Sequence, residues 1–336
     1  MLGRASQMLD ALPSVPPFEE IPNHFIFVWY GQTLPTFAVV AIRSALSKNP
    51  DSTATLFHDP DLALGTEIAN LTPQGLKLTL LDIDALTQAA QRLSPALNGE
   101  KLARIYRQLN LPAARANLVR LLALYTLGGV YLDTDTLTLR SLSTLRQSSS
   151  FIGVERILFP QGQSKFHPGA LLLGELRRIC ALIPYAYRIE KRLHTYYSLA
   201  ANNAVIGATV AHPFILELLR GVVQMPEEFV KKRFVLGTHL LQQTLAQFER
   251  ASETQQPVKV YDPAFFYPLG PMISRHYFRR YSSPARVVDE LVDERTHIIH
   301  WYASVAELNS RDREFIVKNA EREVFSHLCR PYLDEL

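Results

Sequence analysis

Residues 112–140, PAARANLVRLLALYTLGGVYLDTDTLTLR, carry the reading that decides the fold of this chain. Pro112 suits the first turn of a helix, where its missing N–H costs nothing, and Leu118, Val119, Leu121, Leu122 and Tyr125 supply an apolar packing face. Gly128-Gly129 ends the helix, because glycine accepts the left-handed geometry of a C-cap. Val130-Tyr131-Leu132 then reads as a buried strand, and Asp133-Thr134-Asp135 sits where it exits. Ligands of open α/β sheets bind at such carboxyl ends. Two carboxylates there offer hard oxygen ligands for Mg²⁺ or Mn²⁺ bridging a nucleotide diphosphate. Spacing alone does not carry this. Asp59-Pro60-Asp61 and Asp82-Ile83-Asp84 repeat the D-x-D pattern, the first as a turn after a strand and the second as a solvated strand end. Only Asp133 and Asp135 have a helix, a glycine break and a strand in front of them.

Working outward, His24–Tyr30 is a near-continuous apolar run, as strands buried on both faces read. Pro35 opens a helix to about Lys48, and Thr53–Phe57 is a second strand, which makes a βαβ unit. A third strand is expected at Leu78–Leu81. Residues 86–109 read as helical with a break near Pro95, an inserted helical hairpin, and 141–150 as a Ser-rich turn. Farther on, 203–208 reads as a strand and 214–223 as a helix after His212-Pro213. Residues 311–329 read as one terminal helix with Phe315, Ile316, Val324 and Phe325 on its stripe. The chain thus divides into a proline-rich leader (1–21), one α/β domain (22–310, with a helical insertion at about 86–110) and a C-terminal helix (311–336).

Composition narrows the class. With 336 residues, 47% hydrophobic and 20% charged, the chain can bury a core without staples. Thirty-five basic residues against 32 acidic ones give +3, too balanced to argue for nucleic acid. The two cysteines, Cys180 and Cys329, form no disulfide framework, so a reducing compartment is expected. The first twenty residues lack an apolar h-region, and no run reaches the about 18–20 apolar residues of a membrane span. A cytoplasmic bacterial protein is expected, with translocation into a host cell as the alternative. No Walker A, strand-borne G-x-G-x-x-G, G-x-S-x-G or C-x-x-C is present.

Asn117-x-x-Arg120 followed by Gly129-Val130-Tyr131-Leu132-Asp133-Thr134-Asp135 resembles the sugar-nucleotide-binding region of the DXD glycosyltransferases, among them glycosyltransferase family 32 and the clostridial glucosylating toxins. The resemblance implies a GT-A fold, that is, a Rossmann-like nucleotide-binding sheet with helical additions. It also implies a divalent metal, usually Mn²⁺, and a retaining sugar transfer from a UDP- or GDP-sugar. Asn117 and Arg120 would contact the donor sugar, Tyr131 would line the nucleotide site, Asp133 would hold ribose and a metal-bound water, and Asp135 would ligate the metal. The family usually has Asp where this chain has Asn117, which loses a charge but still donates and accepts. Phe27-Val28-Trp29-Tyr30-Gly31 matches a V-W-x-G segment whose Trp stacks on the base. The stretch around Asn203, with Asn202 as its alternative, would line the donor and acceptor pocket. His300, Trp301 and Ser304 match a His-x-Trp-x-x-Ser-like segment that closes over the donor, completes the metal shell and touches the diphosphate.

Several of these residues have a second reading. Trp29 is a base platform or a core tryptophan. Arg120 shares a helix face with Asn117 and grips sugar and phosphate, or it forms a structural ion pair with Asp133. His300 is a metal ligand or diphosphate contact, while His297 reads as structural. The basic and aromatic stretch 274–281 reads as a solvated face by default, with peripheral contact to anionic lipid as its alternative. The expectation is a hexosyltransferase whose acceptor is a polysaccharide, a small metabolite or a protein side chain. The rival is a catalytically weak sugar-nucleotide-binding protein of the same fold.

Overall fold

Alternate residues of the 24–29 strand face different cores. Ile26 and Val28 pack into one apolar cluster, and Phe25 and Phe27 into another on the opposite side. That is why the segment is apolar throughout. In the computed structural model, which describes residues 3–4, 20–63, 65–158, 168–230, 235–251, 257–303 and 308–333, this strand sits inside a mixed sheet. The strands are β1 (Gly3–Arg4), β2 (His24–Trp29), β3 (Thr53–His58), β4 (Leu76–Leu80), β5 (Gly129–Leu132), β6 (Thr136–Thr138), β7 (Ser150–Ile157), β8 (Ser198–Ala208), β9 (Lys259–Tyr261) and β10 (Ile298–His300). Eight of them form one sheet in the order β1-β4-β3-β2-β5-β8-β7-β9, and β6 pairs antiparallel with β10.

β1, β4, β3, β2 and β5 run parallel to one another, β8 runs antiparallel to both β5 and β7, and β9 is parallel to β7. Parallel neighbours need crossovers. Helix α1 (Thr36–Lys48) supplies the one from β2 to β3, while α2 (Ile83–Leu93), α3 (Gly99–Gln108) and α4 (Pro112–Leu127) lie between β4 and β5. This is the Rossmann-like α/β sheet with helical additions expected above. The insertion is split around Pro95 as expected. No helix among the described residues is long and apolar enough to cross a membrane.

Two glycines fix the step from α4 to β5. Gly128 has φ 64° and Gly129 φ 105°, and a Cβ on Gly129 would lie 2.4 Å from the His24 carbonyl oxygen. Any side chain there would push β5 off β2.

Elsewhere the structure corrects the expected boundaries. Ser150, read as turn, begins the eight-residue β7, and its buried hydroxyl donates to the Gly207 carbonyl. Asp82 is the N-cap of α2, accepting from Ala85 N–H at 3.0 Å, while Asp84 pairs with Arg107. The terminal helix is two, α6 (Arg313–Asn319) and α7 (Val324–Cys329). Glu323 separates them because it bridges to Arg280 in extended form, with its carboxylate accepting from Arg311 and Ser326. Within the expected leader, Gly3 and Arg4 pair with Thr79 and Leu80 of β4; residues 5–19 lie outside the described residues. Cys180 and Cys329 are free and buried.

Candidate active site

The carboxyl ends of β2 and β5 lie side by side, and a cavity of about 1020 Å³ opens over them. Val28, Trp29, Asn117, Arg120, Tyr131, Asp133, Asp135, Asn203 and His300 all line it. That size suits a nucleotide-sized ligand.

One wall is built by α4 and β5. Arg120 is 4% exposed, and its guanidinium lies 4.1 Å from the centroid of the Tyr131 ring. It donates to Asp133 Oδ1 at 2.7 Å, to Tyr131 Oη at 3.2 Å and to the Asn203 carbonyl. Tyr131 Oη in turn donates to Asp133 Oδ1 at 2.8 Å. Both readings of Arg120 thus meet at one place, since it is paired with Asp133 and faces the cavity. Tyr131 lines the wall as a buried ring whose hydroxyl is committed to Asp133, and burial raises its pKa. Above them, Asn203 Nδ2 donates to Asn117 Oδ1 at 3.0 Å. Asn202 bonds instead to the Ala204 backbone N–H, so Asn203 takes the cavity position.

The other wall comes from the end of β10, far along the chain. His300 Nε2 lies 3.1 Å from Asp135 Oδ1, and the Ala303 backbone N–H donates to Asp135 Oδ2 at 2.7 Å. Burial opposes ionisation of both groups. Their mutual attraction and hydrogen bond outweigh it, leaving the Asp135 carboxyl below its ordinary pKa and the His300 imidazole above its own.

Donor atoms of Asp133, Asp135 and His300 all fall within 4.8 Å of one another. Two carboxylates and an imidazole form a donor set that fits a divalent cation, which would displace the proton between His300 and Asp135.

One expected donor contact does not reach the site as read. Trp301 is fully buried, its ring against Tyr277, Phe278 and Phe325, and only its backbone N–H meets the site, on the Asp135 carbonyl. Strand alternation is the reason: His300 and Tyr302 face one side, Ile299 and Trp301 the other. Ser304 lies outside the described residues. His297 is structural, with Nδ1 on the Ser141 carbonyl at 2.8 Å.

Tyr30, Gly237, Thr238, Tyr302 and Ala303 also line the cavity and were missed. Period-2 alternation from His300 would have found Tyr302. Gly237 carries no readable signal, although a Cβ there would come within 3.1 Å of both Asn117 and Asn203.

Among known proteins, residues 36–152 match the family model described as "Glycosyltransferase sugar-binding region containing DXD motif". No curated protein matches the chain. Solved structures similar to it include the PaToxG glycosyltransferase (16% identity, covering 74% of this chain and 76% of that one, TM-score 0.45). Others are mouse xyloside xylosyltransferase 1 (12%, 84% and 98%, TM-score 0.45) and the UDP-bound glycosyltransferase domain of the YGT toxin (11%, 72% and 80%, TM-score 0.43). These likenesses bear on no individual residue. The family match spans Asn117, Arg120, Asp133 and Asp135, the same side chains that gather at the cavity, so the chain carries a glycosyltransferase sugar-binding region of the DXD type.

Proposed function

We propose that the chain is a GT-A glycosyltransferase that moves a sugar from a UDP- or GDP-sugar to an acceptor, with a divalent cation at Asp133, Asp135 and His300. The observation that carries this is the meeting of those three groups inside the cavity that Trp29, Asn117 and Asn203 also line. The imidazole nitrogen beside two carboxylates favours Mn²⁺ over Mg²⁺, which prefers an all-oxygen shell. When bound, the cation neutralises the diphosphate leaving group.

The chain's own residues do the rest. Trp29 offers an aromatic face to the base. The Asn117–Asn203 amide pair meets sugar hydroxyls, and Arg120 holds Asp133 in place while adding positive charge near the diphosphate. Among the described residues lining the cavity, the only carboxylates are Asp133 and Asp135, and both are held in the cation corner. The resemblance to the DXD glycosyltransferases implies retention, and with both carboxylates committed there we read it as front-face attack by the acceptor rather than a covalent sugar intermediate. The acceptor is a polysaccharide, a small metabolite or a protein side chain.

A thermal-shift panel of UDP- and GDP-sugars, with and without Mn²⁺, tests the reading. Saturation at about 100 Kd stabilises the native state by about 2.7 kcal/mol, and the rise should need both partners. No shift with any nucleotide-sugar plus Mn²⁺ would overturn donor binding. A shift without any release of sugar to water or acceptor would leave a binding protein.

A further inference from the structure

The turn after β10 is held in a conformation that bulky residues rarely adopt. Tyr302 has φ 56°, in the left-handed region, and such a residue persists only where its surroundings over-determine it. Three contacts do so here. Tyr302 Oη donates to Glu155 Oε2 at 2.8 Å, the Tyr302 ring lies 4.1 Å from the His300 ring, and the next residue, Ala303, donates its N–H to Asp135. Glu155 is 8% exposed, on β7, and among the described residues belongs to no cation cluster. A buried carboxylate is expensive unless it is hydrogen-bonded, so its place needs an account.

His300 supplies that account. A metal-binding histidine ordinarily donates its second ring nitrogen to a carboxylate or carbonyl, which fixes the ring. Here, among the described residues, Nδ1 of His300 is buried without a hydrogen-bond partner. The ring is held by aromatic neighbours instead, Tyr302 at 4.1 Å and Tyr267 at 5.9 Å between centroids. Of these two, Tyr302 is clamped at its far end by Glu155.

We infer that Tyr302 and Glu155 are positioning residues for the cation corner: Glu155 anchors Tyr302, whose ring orients His300 and whose left-handed backbone aims the Ala303 N–H at Asp135. The inference rests on the cation reading proposed above. It accounts for the strained turn, the buried acid and the unpartnered Nδ1 together.

The test is Mn²⁺ binding by the full chain, read by electron paramagnetic resonance without nucleotide, in Tyr302→Phe, Tyr302→Gly and Glu155→Gln. Tyr302→Phe should weaken Mn²⁺ binding about tenfold, as loss of a group supporting a metal ligand does. Tyr302→Gly relieves the left-handed backbone yet should weaken binding at least as much, because the ring is gone. Glu155→Gln keeps an acceptor oxygen for Tyr302 and should stay close to wild type. Wild-type affinity in both Tyr302 variants would overturn the inference and reduce the turn to architecture. A loss in Glu155→Gln with none in Tyr302→Phe would overturn it too, in favour of bulk charge. Wild-type protein that binds no Mn²⁺ would instead fault the cation reading itself, so that measurement comes first.

Discussion

Asp133 and Asp135 are two residues apart, but each hangs from a different wall of the cavity. The Asp133 wall is local: Arg120 and Tyr131 come from the helix and strand just before it, and they form a closed network around Oδ1. The Asp135 wall is assembled at long range, since its partners, His300 and Ala303, follow 165 and 168 residues later. The first wall commits Oδ1 of Asp133 within the protein. The second leaves a His–Asp pair that a cation can replace. The difference separates stability from chemistry, and it can be broken by mutation.

The largest effect should come from the second wall. Asp135→Ala should cut Mn²⁺-dependent kcat/KM by at least about 100-fold. The melting temperature should fall less than in Arg120→Ala, because the variant leaves the Ala303 N–H unpaired while the His300 imidazole can shed its proton. Wild-type turnover at limiting Mn²⁺ would remove Asp135 from the cation site.

Arg120→Ala should invert that pattern. It strands Asp133 and opens a hole beside Tyr131, and removing one partner of a buried pair costs about 3–5 kcal/mol. Asp133 keeps a quarter of its side-chain exposure, which places the expectation at the lower end. Urea unfolding measures it. A loss below about 1 kcal/mol would mean the pair behaves as an exposed one and that the first wall is not built as argued.

The two walls also differ in how readable they were. The α4–β5 unit announces itself through Pro112, the leucine periodicity and Gly128-Gly129, all local signals acting within thirty residues. β2, α1 and β3 were legible for the same reason. β6 and β10, three residues each, exist only because they pair with each other, Thr136 with His300 and Thr138 with Ile298. Thr136-Leu137-Thr138-Leu139 does alternate as a strand would, but the run is too short to be read alone. β7 was hidden by its serine-rich approach, since Ser150 is tolerated in a buried strand only through its bond to Gly207. At Trp301 the motif outweighed the alternation, and the alternation governs which side chains reach the cavity.

Acidification should separate the walls by sign. His212, 1% exposed, caps α5 (Pro213–Gln224), its Nδ1 accepting from Phe214 N–H at 3.2 Å. Its turn docks on α4, the helix that carries the first wall, through the bond from Ala211 N–H to the Tyr125 carbonyl. Burial lowers the His212 pKa from 6.5 to about 4. The unfolded chain therefore takes up this proton first as pH falls. The contribution is intact above pH 6.5, is lost between 6.5 and 4, and changes no further below. His300 is shifted the other way, so in metal-free protein its contribution is full below 6.5 and is lost as pH rises through its raised pKa. His212→Asn keeps a capping side chain without the titration. Relative to that variant, wild type should lose up to about 3 kcal/mol from pH 6.5 to 4 in urea unfolding. Parallel pH profiles would show that His212 does not titrate as its burial demands.

The smallest expected effect tests where the donor's base sits, and it turns on the chain's two tryptophans. Trp301 is sealed in the core, whereas Trp29 is half-buried at the end of β2 and lines the cavity. Its ring is held without a base: Nε1 donates to the Thr33 carbonyl at 3.0 Å, and Phe37 meets it edge-on at 6.4 Å. A platform fixed in this way offers a face with no reorganisation on binding. Stacking of a base on an aromatic side chain is worth roughly 1–3 kcal/mol, so Trp29→Ala should raise the donor KM about tenfold. The contact is present in ground and transition states alike, which leaves kcat nearly unchanged. Trp29→Phe keeps a ring and should recover part of the loss. An unchanged donor KM in Trp29→Ala, together with a large drop in melting temperature, would make Trp29 a core residue like Trp301 and move the base to another part of the wall, with Tyr30 the aromatic next in line at the cavity edge.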